Sequence, residues 1–475
     1  MKSNRLRKYV FYFAVCSLLS ASAAPIDQAK RYYRDGQYNK ALKELRVLAK
    51  RTPRDGTVNY YLGATLLALG HNNEAVAPLE KAVDRGVTDA SRLLALNALE
   101  QYRADDAADY LATWEEKLKK NKKDIPEQFN ELNRRAISLR NMLERVEKIE
   151  ILDTITVDKI DFFSAIRLSA GAGSILPPES IRSMGAGTPG AALSTAYLPQ
   201  SRNRIIWSET DTAGVYELYG ADILDNGDIE MIQPLGQHLG QGGDARFPFL
   251  MADGITLYFA NNGENSLGGY DIFMTRQNEE GEFLSPQNMG MPYNSTANDY
   301  LLAIDESAEL GWLVSDRNAP EGKVTIYVFS PSHVRRNVEA GDDNLLSLAR
   351  LDDISLTRNP ETDYKSLLHE RMPAEIKTDT DGNVAIMLDL GNGKIYTSLN
   401  DFHSNAARAE MIKLLAAQLE LDKHIAAEEK MRETYRSRPG ESLAGRILES
   451  ERQTDAMRKK IQTLRNRAVR LETKR

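Results

Sequence analysis

Six histidines, one cysteine and 68 acidic residues are the raw material for catalysis or metal binding in this 475-residue chain. His71, His238, His333, His369, His403 and His424 are scattered without ligand spacing, and neither H-E-x-x-H nor G-x-S-x-G occurs. Two stretches have the composition of ligand loops. Gly240-Gln241-Gly242-Gly243 could wrap a phosphate, but no Lys-Ser/Thr follows and the next residues read as a strand, so a strand connection is expected. Asp379-Thr380-Asp381-Gly382-Asn383 begins like a calcium loop. Its Gly stands fourth instead of sixth, and Leu390 fills the twelfth position, where a Glu should close the site; a hairpin turn is expected instead. Asp271 and Asp299 are read as turn and strand-end residues. No catalytic residue, cofactor or metal is assigned, and the chain is expected not to be an enzyme.

The elements behind these residues fall into three kinds. The stretch 247–274, FPFLMADGITLYFANNGENSLGGYDIFM, sets two apolar, β-alternating runs at 255–260 and 270–274 around an Asn/Gly-rich segment. Gly254 after Asp253 supplies the positive φ of a tight turn. The pattern recurs as IIW at 205–207 with VYELY at 215–219, and as GWLV at 311–314 with VTIYVF at 324–329. Ile206, Tyr258 and Leu313 are 52 and 55 residues apart, a spacing expected of propeller blades. Pro248, Asp253-Gly254, Leu257-Tyr258-Phe259 and Gly268-Gly269-Tyr270-Asp271-Ile272 resemble the WD40-like β-propeller repeat of bacterial envelope proteins, with Met251-Ala252 where that repeat has Ser-Pro. The resemblance covers about 196–330. Three blades are expected near 196–240, 243–290 and 296–335, within a β-propeller domain over 151–400. Its remainder is a strand at 151–157, a short helix at 158–168, a linker and weak blade start at 169–195, and a last hairpin at 383–388 and 394–398 across Gly391-Asn392-Gly393.

A second repeat precedes it. Ala29, Tyr32, Ala41 and Leu45 recur 34 residues later as Gly63, Leu66, Ala75 and Leu79, and a looser unit uses Leu94, Ala95, Ala107, Leu111 and Trp114. This resembles the tetratricopeptide (TPR) repeat, with small residues where paired helices cross. The resemblance implies an α-solenoid over 24–149, closed by a helix at 126–149 carrying Phe129, Leu132, Ala136, Leu139 and Leu143. In that register Tyr60, Ala64, Leu67, Leu96 and Leu99 line an apolar concave groove. Either a partner's amphipathic helix or the chain's own helix at 126–149 would occupy it.

Residues 404–475 read as two charged helices broken at Arg438-Pro439-Gly440. Met411, Ile412, Leu415, Leu419 and Ile425 mark one face of the first. Ile447, Thr454, Met457, Ile461, Leu464, Ala468 and Leu471 give the second a coiled-coil seam, so the pair is expected to fold back on itself or to self-associate. Eight basic residues against one acidic between 458 and 475 fit a solvated face, or contact with an acidic protein or anionic lipid.

At the other end, Lys2, Arg5, Arg7 and Lys8 precede an apolar run at 10–20 and the A-x-A sequence Ala21-Ser22-Ala23. Eleven residues cannot cross ~30 Å of hydrocarbon as a helix, so 1–23 is expected to be a signal peptide cleaved after Ala23. Cys16 lies inside it, with Val15 where a lipoprotein signal needs a small residue. A net charge of −7 argues against a dedicated nucleic-acid binder. Exported TPR followed by WD40-like propeller is similar to Bacteroidetes-type envelope proteins, some of which add an OmpA-like peptidoglycan-binding domain and one of which serves the type IX secretion apparatus. No OmpA-like motif appears here. The expectation is a multidomain α + β periplasmic scaffold or adaptor that binds other envelope proteins, with outer-membrane association implied by the resemblance. The alternative is a propeller that senses a small ligand or glycan; a propeller-gated hydrolase is disfavoured because no segment is left to be its catalytic domain.

Overall fold

A computed structural model describes residues 25–160, 162–224, 228–332, 334–339, 341–372, 375–378, 384–389, 395–398, 402–437 and 441–473. The expected signal peptide with Cys16, the stretch 379–383, the expected turn at Gly391-Asn392-Gly393, the expected break at Arg438-Pro439-Gly440 and His333 lie outside them. The fold is mixed α + β: a helical N-terminal region, a central region of β-sheets and a C-terminal helix pair. It divides into two compact units, 1–141 and 142–475.

The first unit holds α1 (Pro25–Arg34), α2 (Tyr38–Arg51), α3 (Gly56–Ala68), α4 (Asn72–Asp84), α5 (Thr88–Glu100), α6 (Ala104–Lys120) and α7 (Glu127–Leu143), each of the first five packing on the next. Asp55 starts α3 by accepting from the amides of Thr57 and Val58. Gly36 and Gly70, 34 residues apart, end α1 and α3 in the left-handed region at φ +70° and +76°. The small residues of the repeat sit where helices approach: a Cβ on Gly63 would lie 2.4 Å from Leu79 Cγ. Ala29, Ala41, Leu45, Ala75, Leu79 and Leu94 form the sealed core. Helix α7 meets the third pair through Phe129 against Trp114 and Arg140 on Asp105. It stops at Leu143, short of the expected 149, and Ile149 already belongs to the β core of the second unit.

That second unit carries three antiparallel sheets of similar build. Sheet I orders β2 (Ser174–Leu176), β3 (Leu193–Leu198), β4 (Arg204–Thr210), β5 (Tyr216–Ile223) and β6 (Ile229–Pro234). Sheet II orders β7 (Ala245–Leu250), β8 (Thr256–Asn261), β9 (Asp271–Arg276) and β10 (Gln287–Asn288). Sheet III orders β11 (Asp299–Asp305), β12 (Leu310–Ser315) and β13 (Lys323–Ser330), and its fourth strand is β1 (Glu150–Asp158), paired antiparallel with β13 from Glu150↔Ser330 to Asp158↔Lys323. Among the described residues, no sheet closes on itself. One apolar core runs through all three, from Tyr197 and Ile206 through Phe249, Leu257 and Ile272 to Leu301, Trp312 and Ile326. Strand β7 packs against β3 on one side and β11 on the other. Asp253 fixes the turn between β7 and β8 by accepting from the amides of Ile255 and Thr256, both at 2.8 Å, in place of the missing serine.

Residues 169–195, expected to be mostly linker, contribute β2 and the start of β3, with the short helix α8 (Pro178–Ser183) between them. Residues 162–165 form a single 3₁₀ turn in place of the expected short helix. After α9 (Leu345–Arg350) and α10 (Tyr364–Arg371), the expected hairpin is present as β15 (Val384–Asp389) and β16 (Ile395–Ser398), with β14 (Glu375–Thr378) as a third strand. The C-terminal helices α11 (Asn405–Ser437) and α12 (Glu441–Thr473) pack on each other, so they fold back within the chain. Met411 and Leu414 meet Ile461, Leu464 and Leu471 at one end, while Thr454 Oγ1 donates to Glu428 along the middle of the seam. Ile412, assigned to the buried face, is half exposed. Among the described residues, no helix is long and apolar enough to cross a membrane.

Candidate functional site

The five residues expected to line a groove in the first unit separate into two groups. Tyr60, Leu67 and Leu96 are half-buried and reach the surface, whereas Ala64 (3% exposed) and Leu99 (0%) are sealed inside. Helices α3 and α5 touch directly, which removes the flank they share from any groove. The strip that remains is polar as well as apolar, which corrects the expectation of an apolar groove. The Tyr60 hydroxyl donates to Asp89 Oδ2 at 2.6 Å, and Arg92 clamps the same carboxylate through Nε at 2.6 Å and Nη2 at 2.8 Å. Tyr33 and Tyr60 each set a ring edge-on to Tyr61, at 5.6 and 5.3 Å. Burial, and then the bond to Asp89, push the Tyr60 hydroxyl above its ordinary range. Burial opposes ionisation of Asp89, but Arg92 and Tyr60 outweigh it and hold the carboxyl below its usual value. Neither group has a labile proton near neutrality, so the strip can recognise but not transfer protons.

The second unit has a deeper feature. Where β3, β7 and β11 converge, a cavity of about 880 Å³ opens, within the size range of small-molecule sites. Its floor comes from equivalent positions of the sheets: Ser194 on β3, Arg246 on β7 and Tyr300 on β11. Phe162, Phe247 and Tyr270 add ring surface, with Phe247 5.5 Å from Phe162 and 5.9 Å from Tyr300. Two tyrosines are locked on carboxylates that stand behind the wall: Tyr270 donates to Asp244 and Tyr300 to Asp316, at 2.5 and 2.7 Å. Asp244 is held in turn by the Tyr216 amide, and Asp316 by the amide and side chain of Asn298. Burial and then the Asp244 bond push the Tyr270 hydroxyl up to about 12; burial and Asp316 move Tyr300 the same way. Both hydroxyls keep their protons and point them at the carboxylates, so their oxygens are left as acceptors.

Two cations line the cavity, in different circumstances. Lys159 Nζ lies 3.2 Å from Asp316 Oδ2 and 4.6 Å above the Tyr300 ring. The Arg246 guanidinium lies flat among rings, 4.1 Å from the Tyr216 centroid and 4.7 Å from that of Phe247. Its polar contacts are long, 3.4 and 3.3 Å to Ser194 Oγ, and among the described residues no carboxylate is within ion-pair distance. The arrangement offers an ionic donor, aromatic walls and tyrosine acceptors, without a nucleophile beside a base.

Elsewhere the acidic and glycine-rich positions take the turn, strand-end and loop geometry that the sequence implies. Asp271 and Asp299 are fully buried at strand starts; Asp271 accepts from the amides of Leu267 and Gly268 and from Asn288, and Asp299 pairs with Arg317. The 240–243 segment is a loop entering β7, with Asn261 donating to the carbonyls of Leu239 and Gly240. Among the described residues, no group of three or more His, Cys, Asp or Glu side chains is placed to hold a metal ion. Asp89, Arg92, Arg246 and the Tyr–Asp pairs are not evident from sequence, although faint signals are present. Asp89 and Arg92 are three apart on one helix face, and Arg246 and Tyr300 each stand two places after the polar residue that precedes an inner strand, Asp244 or Asn298.

No protein-family model, curated protein or solved structure matches the chain.

Proposed function

We propose that the chain is a non-enzymatic binding protein of the periplasm, a scaffold or adaptor with a TPR-type array for another envelope protein and a propeller-type β unit for a small ligand. One observation carries this reading. Both units present tyrosine hydroxyls locked on carboxylates beside an arginine, Tyr60–Asp89–Arg92 in one and Tyr270–Asp244 with Arg246 nearby in the other. Such groups are fixed in orientation and poor in exchangeable protons, which suits recognition and not catalysis. The 34-residue recurrence of buried positions supports the TPR-type reading, and three like sheets, with β1 completing the last, support the propeller type. Export to the periplasm rests on the sequence of 1–23, and outer-membrane association on the family resemblance.

The protein-binding role is tested in the full chain with Leu67→Lys combined with Leu96→Glu, both surface-reaching positions. Affinity capture from detergent-solubilised envelopes should lose its main partner while helicity and melting temperature stay within error of wild type. Undiminished capture would remove the helical strip from consideration, and turnover of peptide or glycan substrates at enzyme-like rates would overturn the non-enzymatic reading.

A small-ligand receptor as the main role is the second reading. The convergence of aromatic rings with Lys159 and Arg246 on one cavity of the β unit favours it.

A further inference from the structure

The cavity between the three sheets has a chemistry more specific than "small ligand", and the inference here rests on that ligand-binding reading. Arg246 is the key group. A guanidinium carries five N–H donors in a rigid fork that matches a carboxylate. Here Nε and Nη2 share one hydroxyl, Ser194 Oγ, at long range, and the guanidinium also bears on the Tyr270 hydroxyl, so its polar partners are neutral hydroxyls. The carboxylate nearest in sequence, Asp244, is committed to Tyr270 and the Tyr216 amide. The rings of Tyr216 and Phe247 hold the fork in place, so little side-chain freedom is lost when an anion arrives. Both cations line the cavity, while Asp244 and Asp316 stand behind the tyrosines and do not. The interior therefore presents positive charge to whatever enters.

The rest of the wall narrows the ligand further. Phe162, Phe247 and Tyr300, packed on one another, give the wall an apolar aromatic surface for the C–H groups of a ligand. The Tyr270 and Tyr300 oxygens donate outward to their carboxylates and so can accept from a ligand. A flat aromatic acid has the anion but nothing to donate; a neutral sugar has the hydroxyls but no anion. We propose that the cavity binds a pyranose bearing a carboxylate, a hexuronic-acid type of ligand. Its carboxylate would sit on Arg246, its C–H face on the phenylalanines, and its hydroxyls would donate to the tyrosine oxygens.

The experiment is isothermal titration calorimetry of the full mature chain with three probes: sodium glucuronate, glucose and sodium benzoate. Glucuronate should bind at least tenfold more tightly than either of the others. Arg246→Gln should lose at least tenfold in glucuronate affinity, and Arg246→Lys, which keeps the charge without the fork, should lose most of that. Melting temperature and circular dichroism check that both variants are folded; should either be unfolded, Ser194→Ala, which frees the fork without removing it, should bind glucuronate no more weakly than wild type. Equal affinity for glucose and glucuronate, unchanged by Arg246→Gln, would overturn the carboxylate assignment and leave the ligand reading standing. Benzoate binding as well as glucuronate would overturn the sugar assignment. Silence from all three probes would overturn this inference, and silence across a wider panel of neutral and charged rings would overturn the ligand reading with it.

Discussion

In sheet III two carboxylates face cations, Asp299 against Arg317 and Asp316, just past β12, against Lys159, while the buried Asp305 is tied down by the Ser169 and Ser307 hydroxyls and the Ser169 amide. Sheet II, built on the same plan, leaves its charges alone. Asp271 is fully buried and has three N–H donors but no cation, and Arg246 has rings and hydroxyls but no carboxylate. Paired charges in a low-dielectric interior fix geometry, because moving either partner exposes the other. Unpaired ones leave a free energy that a proton or a ligand can supply. One sheet is thus a frame, and its neighbour keeps two charges responsive to solution.

The sharpest way to break the comparison is Arg317→Ala. It leaves Asp299 without a counter-charge, held only by the Ser295 amide and hydroxyl, and also removes donors to the Pro292 and Tyr293 carbonyls. A loss of about 3–5 kcal/mol in urea unfolding is expected; a loss below about 1 kcal/mol would mean that the pair does not frame sheet III.

Next comes the pH response of Asp271. Burial, and then the neighbouring Asp299, raise its pKa from 3.8 to about 7. The folded protein then keeps a proton that the unfolded chain has released. The contribution of Asp271 to stability is fully present below about pH 4 and falls as pH rises towards 7, by roughly 1.4 kcal/mol per unit within that window. Asp271→Asn stays neutral throughout and should show a shallower decline than wild type across the same range. Parallel curves for the two proteins would show that the three N–H donors already hold Asp271 ionised.

The smallest effect is expected at Lys159. Its ammonium is partly exposed, so Lys159→Gln should cost less than about 1 kcal/mol, and less still in high salt. A larger cost would place Lys159 in the frame after all.

The legibility of the sequence follows the range of the interactions. Local periodicity exposes the helix pairs, because Ala29, Ala41, Leu45, Ala75 and Leu79 must be small or apolar wherever neighbouring helices meet. The central hairpins are equally plain, since their strands pair across short turns. What the sequence hides is non-local. Nothing in 151–157 says that it pairs with 324–329, and the run around β2 and β3 is too rich in Gly, Ala and Ser to carry a strand signal. The groove residues show the same limit: register assigns a side of the helix, but only the contact between α3 and α5 decides that Leu99 is inside and Leu96 is not. The cavity is least legible, because Lys159, Ser194, Arg246 and Tyr300 come from four separate stretches that only the packed sheets bring together.

The strand β1 has a consequence for biogenesis. Among the strands of sheets I to III it is made first and its partner β13 last, so at 5–20 residues per second roughly 10–35 s separate the two halves of one ladder on the ribosome. Throughout that interval β1 is an orphan, an extended apolar segment in search of an edge. Its sequence, EILDTITVD, places Glu150, Asp153 and Asp158 among the branched residues. Three like charges along nine residues repel a second copy of the same strand, the arrangement by which waiting segments are kept from stacking into cross-β aggregates. In the finished sheet Glu150 accepts from Tyr364 and Asp158 pairs with Lys323, so the same carboxylates guard the nascent strand and then tie the folded one.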